Sequence, residues 1–450
     1  MWRASMVLPS SPRSSSLRFY LETHGCPMNR SDSQIMESLL HRAGWVKVER
    51  PEEADVLILN TCNVKTPTEQ RMIHRAKVLS RYGPLVVAGC MAKSQPELLR
   101  PFSNVLVAPR SIDRIVEAVS AAVKGQKAEF LDWGMLDKAS YERDPEGLVG
   151  IVPIAEGCLG ACTYCITKLA RGGLTSFPIK SIIGRVVDFL SKGAVEVWLT
   201  AEDTGVYGWD IGEDLPKLLR EISSLEEDFR VRVGMMTPNS ALKILNGLIK
   251  AFRSEKIYKF FHLPVQSGSD EVLRLMGRRY TAKQYLELVK RIRDSYEEAT
   301  ISTDVIVGFP GEEESDFEMT LKLLEEVQPD IVNLSRFGPR PKTPAASMDQ
   351  LPVSVVKRRS KTAMELIERI KERRNERYVG REVVVLASEV TSKGVQGRTQ
   401  SYKPVALGDV ELGYFYRVEI EGFRGNYLIG KVLERLSRAG LLTRCSARAN

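Results

Sequence analysis

The sequence predicts an α/β protein with three folded units: an N-terminal parallel α/β domain at residues 17–125, a partial (β/α)6 barrel at 148–350 and a small β-barrel at 378–438. Two stretches in which short apolar strands alternate with amphipathic helical runs predict the first two units. A series of short β runs separated by Gly and Asp predicts the third. The length of 450 residues suits two or three domains.

Four apolar runs predict the strands of the first unit: LRFYLET, ADVLILN, PLVVAGC and NVLVAP, with helical patterns between them. Strands that alternate with helices form a mostly parallel sheet. The polar residues 126–147 include Gly134, Pro145 and Gly147, so we interpret them as a linker. Residues 1–16 are rich in Ser, Arg and Pro, and we expect them to form a disordered tail.

The second unit repeats the alternation in longer form. Its predicted strands are VGIVPIA, AVEVWLT, FRVRVGMMT, KFFHLPV, ATISTDVIVGF and DIVNLSRF. Six β/α units are fewer than the eight that close a barrel, so we expect a barrel that is open on one side. In such folds the active site lies at the carboxyl ends of the strands.

A basic helix is predicted at residues 351–377, and it leads into the β runs of the third unit, a shape common among RNA-binding modules. Residues 439–450 are expected to be a polar tail. The net charge of +8 permits a polyanionic partner such as RNA. Because no apolar run reaches eighteen residues, we expect no membrane span and a cytoplasmic location.

Three cysteines stand close together directly after the first barrel strand, in Glu156-Gly-Cys158-Leu-Gly-Ala-Cys162-Thr-Tyr-Cys165. Three thiolates at this C-x3-C-x2-C spacing can hold three irons of a cubane iron–sulfur cluster and leave the fourth iron open for an amino-acid-like cofactor. A zinc knuckle is the alternative, but it would need a fourth ligand, and none of the four histidines is near in sequence. The loop resembles the signature of the radical S-adenosylmethionine superfamily, in which Tyr164 would pack against the adenine of the cofactor.

Polar groups and glycines follow other predicted barrel strands and are candidates for binding that cofactor. A carboxylate of Glu202 or Asp203 could receive its ammonium group. Gln266 and Ser267 could hydrogen-bond its ribose. The segment from Asp304 to Gly308 ends the fifth strand, and glycine lets backbone approach an adenine closely.

Three further cysteines, Cys26, Cys62 and Cys90, each follow a predicted strand of the N-terminal sheet. Because the carboxyl ends of neighbouring parallel strands converge on one crevice, these thiols can meet as one triad. Buried structural cysteines are the alternative. The odd total of seven cysteines, including Cys445 in the tail, is poor evidence for disulfides. We therefore predict a second iron–sulfur cluster at this triad.

Three ordered sets of motifs resemble the methylthiotransferase family. They are Thr23-His-Gly-Cys26-Pro-Met-Asn29 with Asn60-Thr-Cys62-Asn-Val and Gly89-Cys90-Met, then Pro264-Val-Gln266-Ser-Gly-Ser-Asp270 with Met276-Gly-Arg278-Arg-Tyr280, and Val307-Gly-Phe-Pro-Gly311-Glu312. The terminal β module is similar to a TRAM domain. The stretch from Cys158 through Ile-Thr-Lys168-Leu-Ala-Arg171 is similar to the archaeal and eukaryotic branch, which acts on N6-threonylcarbamoyladenosine in tRNA.

The resemblance implies two [4Fe-4S] clusters, S-adenosyl-L-methionine, a low-potential electron donor and a sulfur source. Cys158, Cys162 and Cys165 would act in cleavage of the cofactor to a 5′-deoxyadenosyl radical. Cys26, Cys62 and Cys90 would hold the second cluster, which holds or supplies the sulfur. The product would be 2-methylthio-N6-threonylcarbamoyladenosine at position 37 of tRNA.

The tRNA anticodon stem-loop is the expected partner, and Arg398 and Lys403 in a loop of the β module are predicted to contact it. Two alternatives keep the chemistry but change the substrate, either to isopentenyladenosine in tRNA or to a ribosomal protein. A third is a non-catalytic RNA-binding protein with zinc sites.

Overall fold

The computed structural model describes residues 17–392 and 394–439. Its N-terminal domain is built on one parallel sheet, in the order β2-β1-β3-β4-β5-β6. The strands are β1 (Arg18–Thr23), β2 (Val46–Lys47), β3 (Val56–Thr61), β4 (Leu85–Gly89), β5 (Val105–Val107) and β6 (Ala128–Phe130). The helices are α1 (Pro27–Arg42), α2 (Thr66–Leu79), α3 (Cys90–Ser94) and α4 (Ile115–Val123). The predicted parallel α/β domain is confirmed, whereas the predicted tail at 1–16 and all but the first residue of the predicted tail at 439–450 lie outside the described residues.

The sheet is covered on both faces, which explains the continuous apolar sequence of its central strands. Along β3, Leu57 and Leu59 pack against α2 on one face. Ile58 packs with residues of α1 and α4 on the other. Because the rest of such a strand is apolar and buried, its carboxyl end carries the polar residues that are available for a site.

Residues 126–147, expected to be a linker, are packed into both neighbouring domains. They contribute β6 and two buried cations, Lys138 and Arg143. Lys138 Nζ lies 2.6 Å from Asp32 Oδ1 in α1 and 3.1 Å from Glu156 Oε1 in the barrel. Arg143 donates to the carbonyl of Ile151, at 3.0 Å. The polar composition that suggests a linker therefore includes a lysine, Lys138, whose charge is neutralised by carboxylates of both neighbouring domains.

The second domain is an open barrel of six parallel strands in chain order, with a small hairpin after the first. Its strands are β7 (Val149–Pro153), β8 (Ala155–Glu156), β9 (Thr175–Ser176), β10 (Glu196–Thr200), β11 (Arg230–Val233), β12 (Phe260–His262), β13 (Thr300–Val307) and β14 (Ile331–Arg336). Its helices are α5 (Thr167–Arg171), α6 (Ile179–Ser191), α7 (Leu215–Ser223), α8 (Pro238–Ala251), α9 (Asp270–Leu275), α10 (Ala282–Ser295) and α11 (Glu314–Val327). Strands β7, β10 and β11 pair side by side, as do β12, β13 and β14, and a parallel bridge from Val231 to Ile257 links the two sets.

The third unit is a closed five-stranded barrel, reached through the long helix α12 (Val353–Glu376). Its strands, in the order β15-β16-β17-β19-β18, are β15 (Glu382–Thr391), β16 (Gly394–Thr399), β17 (Pro404–Gly408), β18 (Tyr414–Arg424) and β19 (Tyr427–Arg438). Strands β16 and β17 are separated by a turn in which Tyr402 has φ +66°. Across the described part of the chain, no helix combines the length and apolar character needed to cross a membrane.

The β module is docked on the amino-terminal ends of the barrel strands, opposite the end where strand-end loops gather. Tyr402 packs in a cluster with Tyr258, Phe260 and Ile331 at that end of the barrel. Lys403 Nζ lies 3.2 Å from Asp330 Oδ1, and only 3% of the Lys403 side chain is exposed. The structure therefore corrects the assignment of Lys403 to RNA binding, because its charge is buried and used to dock the module.

Asp330 holds the docking site together, so its replacement is expected to weaken the fold. It accepts from Arg374 Nε and Nη2, both at 2.9 Å, as well as from Lys403. Asp330→Asn leaves two buried cations without a counter-charge, which costs about 3–5 kcal/mol in the free energy of unfolding. Chemical denaturation at pH 7 checks this, with Glu325→Gln as the control because Glu325 pairs with Arg373 on the surface, where a change within about 0.5 kcal/mol is expected.

The stabilities of wild type and Asp330→Asn should also depend differently on pH. Burial alone would raise the pKa of Asp330, but Lys403 and Arg374 outweigh it and lower that pKa. An acid with a lowered folded-state pKa contributes stability above its unfolded pKa of about 4 and loses it as the pH falls through the folded value. The stability difference between wild type and Asp330→Asn should stay constant from pH 8 to about 5 and shrink below about 4. A difference that grows on acidification would contradict the assignment.

Candidate active site

The loop that carries Cys158, Cys162 and Cys165 leaves β8 at the carboxyl end of the barrel and runs into α5. All three thiols are partly buried. Two of them converge on Gly160, because a Cβ built there would lie 3.2 Å from Cys158 Sγ and 3.8 Å from Cys162 Sγ. The Gly160 N–H also donates to Cys158 Sγ at 3.1 Å. A side chain at position 160 would therefore crowd the sulfur of Cys158.

The loop is held in place by the segment that follows α9. Arg278 Nη1 lies 3.2 Å from Cys162 Sγ, and its Nη2 donates to the Pro264 carbonyl at 3.0 Å. Thr163 N donates to the Met276 carbonyl at 3.1 Å. A guanidinium directed at sulfur stabilises a thiolate, which is the form that binds metal. The Met276-Gly-Arg278 motif, which had no assigned role in the sequence, therefore supports the cysteine loop.

Cys26, Cys62 and Cys90 lie at the carboxyl ends of β1, β3 and β4, which are neighbours in the sheet. Cys62 and Cys90 are buried and Cys26 is exposed. Asn29 Oδ1 is 3.6 Å from Cys26 Sγ and 3.8 Å from Cys90 Sγ. A Cβ built at Gly25 would lie 2.8 Å from Cys62 Cβ, so Cys62 lies beside the residue that precedes Cys26. The structure thus brings the three scattered cysteines together.

Both groups of thiols have the donor chemistry of iron–sulfur sites. Within residues 17–392 and 394–439, no group of His, Cys, Asp or Glu is close enough to hold a single metal ion. The three thiolates of each group can hold three irons of a cubane cluster. Burial raises the pKa of Cys158 and of Cys90 to about 12, against the opposing effects of the Gly160 N–H and Arg171 respectively. Such thiols bind as thiolates only when a strong positive charge is present.

A buried network of charges, centred on Arg171, joins the two cysteine groups. Arg171 is 1% exposed, and its Nη2 donates to Asn29 Oδ1 at 3.0 Å and to Asp32 Oδ2 at 2.8 Å, both in α1. Its Nη1 donates to Glu156 Oε1 at 2.8 Å, and its Nε lies 3.2 Å from Glu202 Oε1. Arg171 therefore contacts the amide that lies between two thiols of one group, and it stands on the helix that follows the other group.

Two further arginines fasten the N-terminal domain to the barrel. Arg110 donates to the carbonyl of Arg171 at 2.8 Å and to the carbonyl of Glu156 at 3.3 Å. On the other side, Arg340, which follows β14, donates to the carbonyl of Asn63 at 2.7 Å and pairs with Glu69 in α2. Both contacts reach loops that carry cysteines, so the two cysteine groups are fixed relative to each other.

The residues predicted to bind the cofactor fall into three groups. Tyr164, Gln266 and Gly308 lie near the cysteine loop at the barrel mouth. The Tyr164 ring meets Phe309 edge-on at 6.3 Å. Gln266 has φ +70° and bridges to Val305, and Gly308 has φ +75°. Left-handed backbone at a non-glycine residue is strained and is often found at functional sites.

Among the predicted carboxylates, Glu202 and Asp304 remain partly accessible. Glu202 Oε2 accepts from Gly157 N at 2.7 Å, and burial raises the pKa of Glu202 to about 7 despite the opposing charge of Arg171. Asp304 Oδ1 lies 3.2 Å from His262 Nε2 and accepts a hydrogen bond from Asn333 Nδ2 at 2.7 Å.

Asp203 and Ser267 are instead used within the chain. Asp203 is 2% exposed and accepts from Gly205 N, Thr237 N, Thr237 Oγ1 and Ser240 Oγ. Ser267 is fully buried, and its hydroxyl lies 3.3 Å from that of Thr320. These side chains shape the strand-end loops, and the structure corrects their assignment as direct cofactor ligands.

The comparisons with known proteins agree with this architecture. The profile of the Radical SAM superfamily matches residues 152–324, and that of Uncharacterized protein family UPF0004 matches residues 18–107. A solved structure of the radical S-adenosylmethionine methyltransferase TsrM from Kitasatospora setae is similar in fold, with a TM-score of 0.56 and 14% identity over 74% of this chain and 77% of that one.

Curated relatives match almost the whole chain. A probable threonylcarbamoyladenosine tRNA methylthiotransferase of Pyrococcus horikoshii is 44% identical over 423 residues, covering 93% of this chain and 100% of the relative. A threonylcarbamoyladenosine tRNA methylthiotransferase of Danio rerio is 35% identical over 431 residues, covering 93% of this chain and 78% of the relative.

The open barrel and its cysteine loop define a radical S-adenosylmethionine enzyme. Within that class, the chain belongs to the methylthiotransferase family, in the archaeal and eukaryotic branch of threonylcarbamoyladenosine tRNA methylthiotransferases.

Proposed function

We propose that this enzyme transfers a methylthio group to C2 of N6-threonylcarbamoyladenosine at position 37 of tRNA. The observation that supports it most directly is the pair of cysteine groups joined by Arg171 and Asn29, which lets two sulfur-bound centres face one substrate. The adenine C2–H is neither acidic nor next to a leaving group, so radical chemistry suits it better than acid–base catalysis. The proposal includes a cytoplasmic location, a low-potential electron donor and a sulfur source.

Each cysteine group has its own part in the proposal. Cys158, Cys162 and Cys165 would hold a [4Fe-4S] cluster that, when bound, supplies the electron for cleaving S-adenosyl-L-methionine. Cys26, Cys62 and Cys90 would hold a second cluster, at which the sulfur is delivered. The protein orients these centres: Arg278 fixes the first loop through Cys162, and Asn29 fixes the second triad.

The tRNA would lie across the barrel mouth, where several cations are exposed. Lys168 and Arg336 stand on or beside the loops that follow barrel strands, and Lys65 follows the second cysteine of the N-terminal triad. Cations of this kind bind RNA phosphates with salt-dependent affinity. Arg398 is less available, because its guanidinium lies 4.8 Å from the Tyr402 ring centroid and pairs with Glu389.

The modified nucleoside that the enzyme forms in tRNA identifies its substrate. The chain is expressed in a bacterium that lacks its own methylthiotransferases, and its tRNA is digested and analysed by mass spectrometry. We expect 2-methylthio-N6-threonylcarbamoyladenosine to appear. A mark on isopentenyladenosine or on a ribosomal protein would redirect the assignment to another branch.

The metal content separates the enzyme from a zinc-binding, non-catalytic protein. After anaerobic purification we expect about eight irons per chain with a matching amount of sulfide, as two cubanes require. Zinc without iron would contradict the proposal.

A further inference from the structure

Arg232 stands in the middle of β11 and points into the barrel interior. Val231 and Val233, on either side of it, are buried in the outer core, and successive strand residues face opposite sides. Aromatic rings surround its guanidinium. Its Cζ lies 5.3, 5.1 and 5.5 Å from the ring centroids of Trp198, Phe260 and Tyr402.

The charge of Arg232 is not matched within the described residues. No carboxylate lies within ion-pair distance of it, no hydrogen bond engages its guanidinium, and its Nε is buried without a partner. The carboxylate of Glu196 is used otherwise, since it accepts from Trp198 Nε1 at 2.6 Å and Ser388 Oγ at 3.0 Å. A guanidinium in an aromatic surrounding is normally paired, so an unpaired one indicates a place for an anion.

The side chains between Arg232 and the barrel mouth are partly accessible. Arg232 and Trp198 are only partly buried, and Asn333 is exposed. Above them, the His262 and Asp304 side chains are 18% and 30% exposed. The side-chain N–H groups of Arg232 have no hydrogen-bond acceptor among the described residues, and the N–H edge of a guanidinium matches the two oxygens of a carboxylate.

We propose that Arg232 binds the carboxylate of the threonylcarbamoyl group and thereby selects adenosines that carry it. This assignment rests on the proposed function. Trp198, which neighbours Arg232 in the strand register, stands two residues before the end of β10 at Thr200, or roughly 7 Å below the mouth. The threonylcarbamoyl group extends several bonds from N6 and ends in a carboxylate. An adenine held at the mouth near the cysteine loop can thus place this carboxylate beside Arg232.

The test uses two anticodon stem-loop RNAs, one with threonylcarbamoyladenosine at position 37 and one with the methyl ester of the same group. Loss of a charged hydrogen-bonded pair corresponds to about a tenfold to hundredfold change in kcat/KM. We expect the wild-type enzyme to prefer the acid by that factor and Arg232→Gln to accept both within about twofold, mainly through a higher KM for the acid. Arg232→Lys should recover part of the preference.

Arg230→Gln is the matched control. Arg230 stands on the same strand with the same charge, but it pairs with Asp228 and packs on Phe415 in the β module, so its variant should keep the preference. Equal use of acid and ester by the wild type, or an unchanged preference in Arg232→Gln, would overturn the carboxylate site and leave the proposed function standing. Modification of neither RNA by the wild type would overturn the proposed function and the site with it. The wild-type comparison holds even when a variant fails to fold.

Discussion

Cys162→Ala is expected to remove the methylthio mark from tRNA to below detection. The variant loses one of the three thiolates of the loop, a sulfur that lies with Cys158 Sγ near Gly160, and it also leaves Arg278 without its sulfur partner. A cubane held by two thiolates is not retained, so iron should fall from about eight to about four per chain. Nucleoside mass spectrometry, iron analysis and assay of 5′-deoxyadenosine formation check this.

Two other cysteine variants show whether the effect is specific. Cys90→Ala should also remove the mark and about four irons, but it should keep 5′-deoxyadenosine formation, because Cys90 belongs to the other triad. Cys445→Ser, which changes a cysteine of neither group, should keep both activities. Persistence of the mark in Cys162→Ala would exclude the radical mechanism.

The cysteine positions could be inferred from sequence because a simple rule of topology applies to them. Cys26, Cys62 and Cys90 each follow an apolar strand, and parallel strands place their carboxyl ends at one edge. The cysteine loop of the barrel could be recognised because its three cysteines are close together in the sequence. The six-strand barrel and the β module follow equally from periodicity, and both are confirmed.

Residues whose partners are distant in sequence could not be found in this way. Lys138 pairs with Asp32 across 106 positions, and a polar segment gives no sign that one of its lysines is fully buried. The predicted RNA contact of Lys403 fails for the same reason, because Lys403 pairs with Asp330, which also binds Arg374. Hydrophobic patterning can be recognised in a short stretch of sequence. Ion pairs between domains depend on tertiary contacts, which a short stretch does not show.

Arg171 also forms ion pairs between domains. We expect Arg171→Met to lower the free energy of unfolding by about 3–5 kcal/mol. The side chain neutralises Asp32, Glu156 and Glu202, and Lys138 alone cannot balance the three. Burial already raises the pKa of Glu202 to about 7 while Arg171 is present, so removing that charge leaves its ionised form even less favourable. Chemical denaturation measures the loss, with Arg114→Met as the control because Arg114 pairs with Glu117 on the surface and should cost under about 1 kcal/mol.

A second readout distinguishes support of the cysteine groups from general stability. Arg171 also donates to Asn29, whose oxygen lies near Cys26 and Cys90, so its loss should disturb the N-terminal triad more than the barrel loop. At a temperature where Arg171→Met is still folded, we expect 5′-deoxyadenosine formation without methylthiolation. Arg171→Lys keeps the charge but cannot contact α1, Glu156 and Glu202 together, and it should recover stability better than methylthiolation. Parallel loss of the two reactions in both variants would mean that Arg171 supports the fold alone.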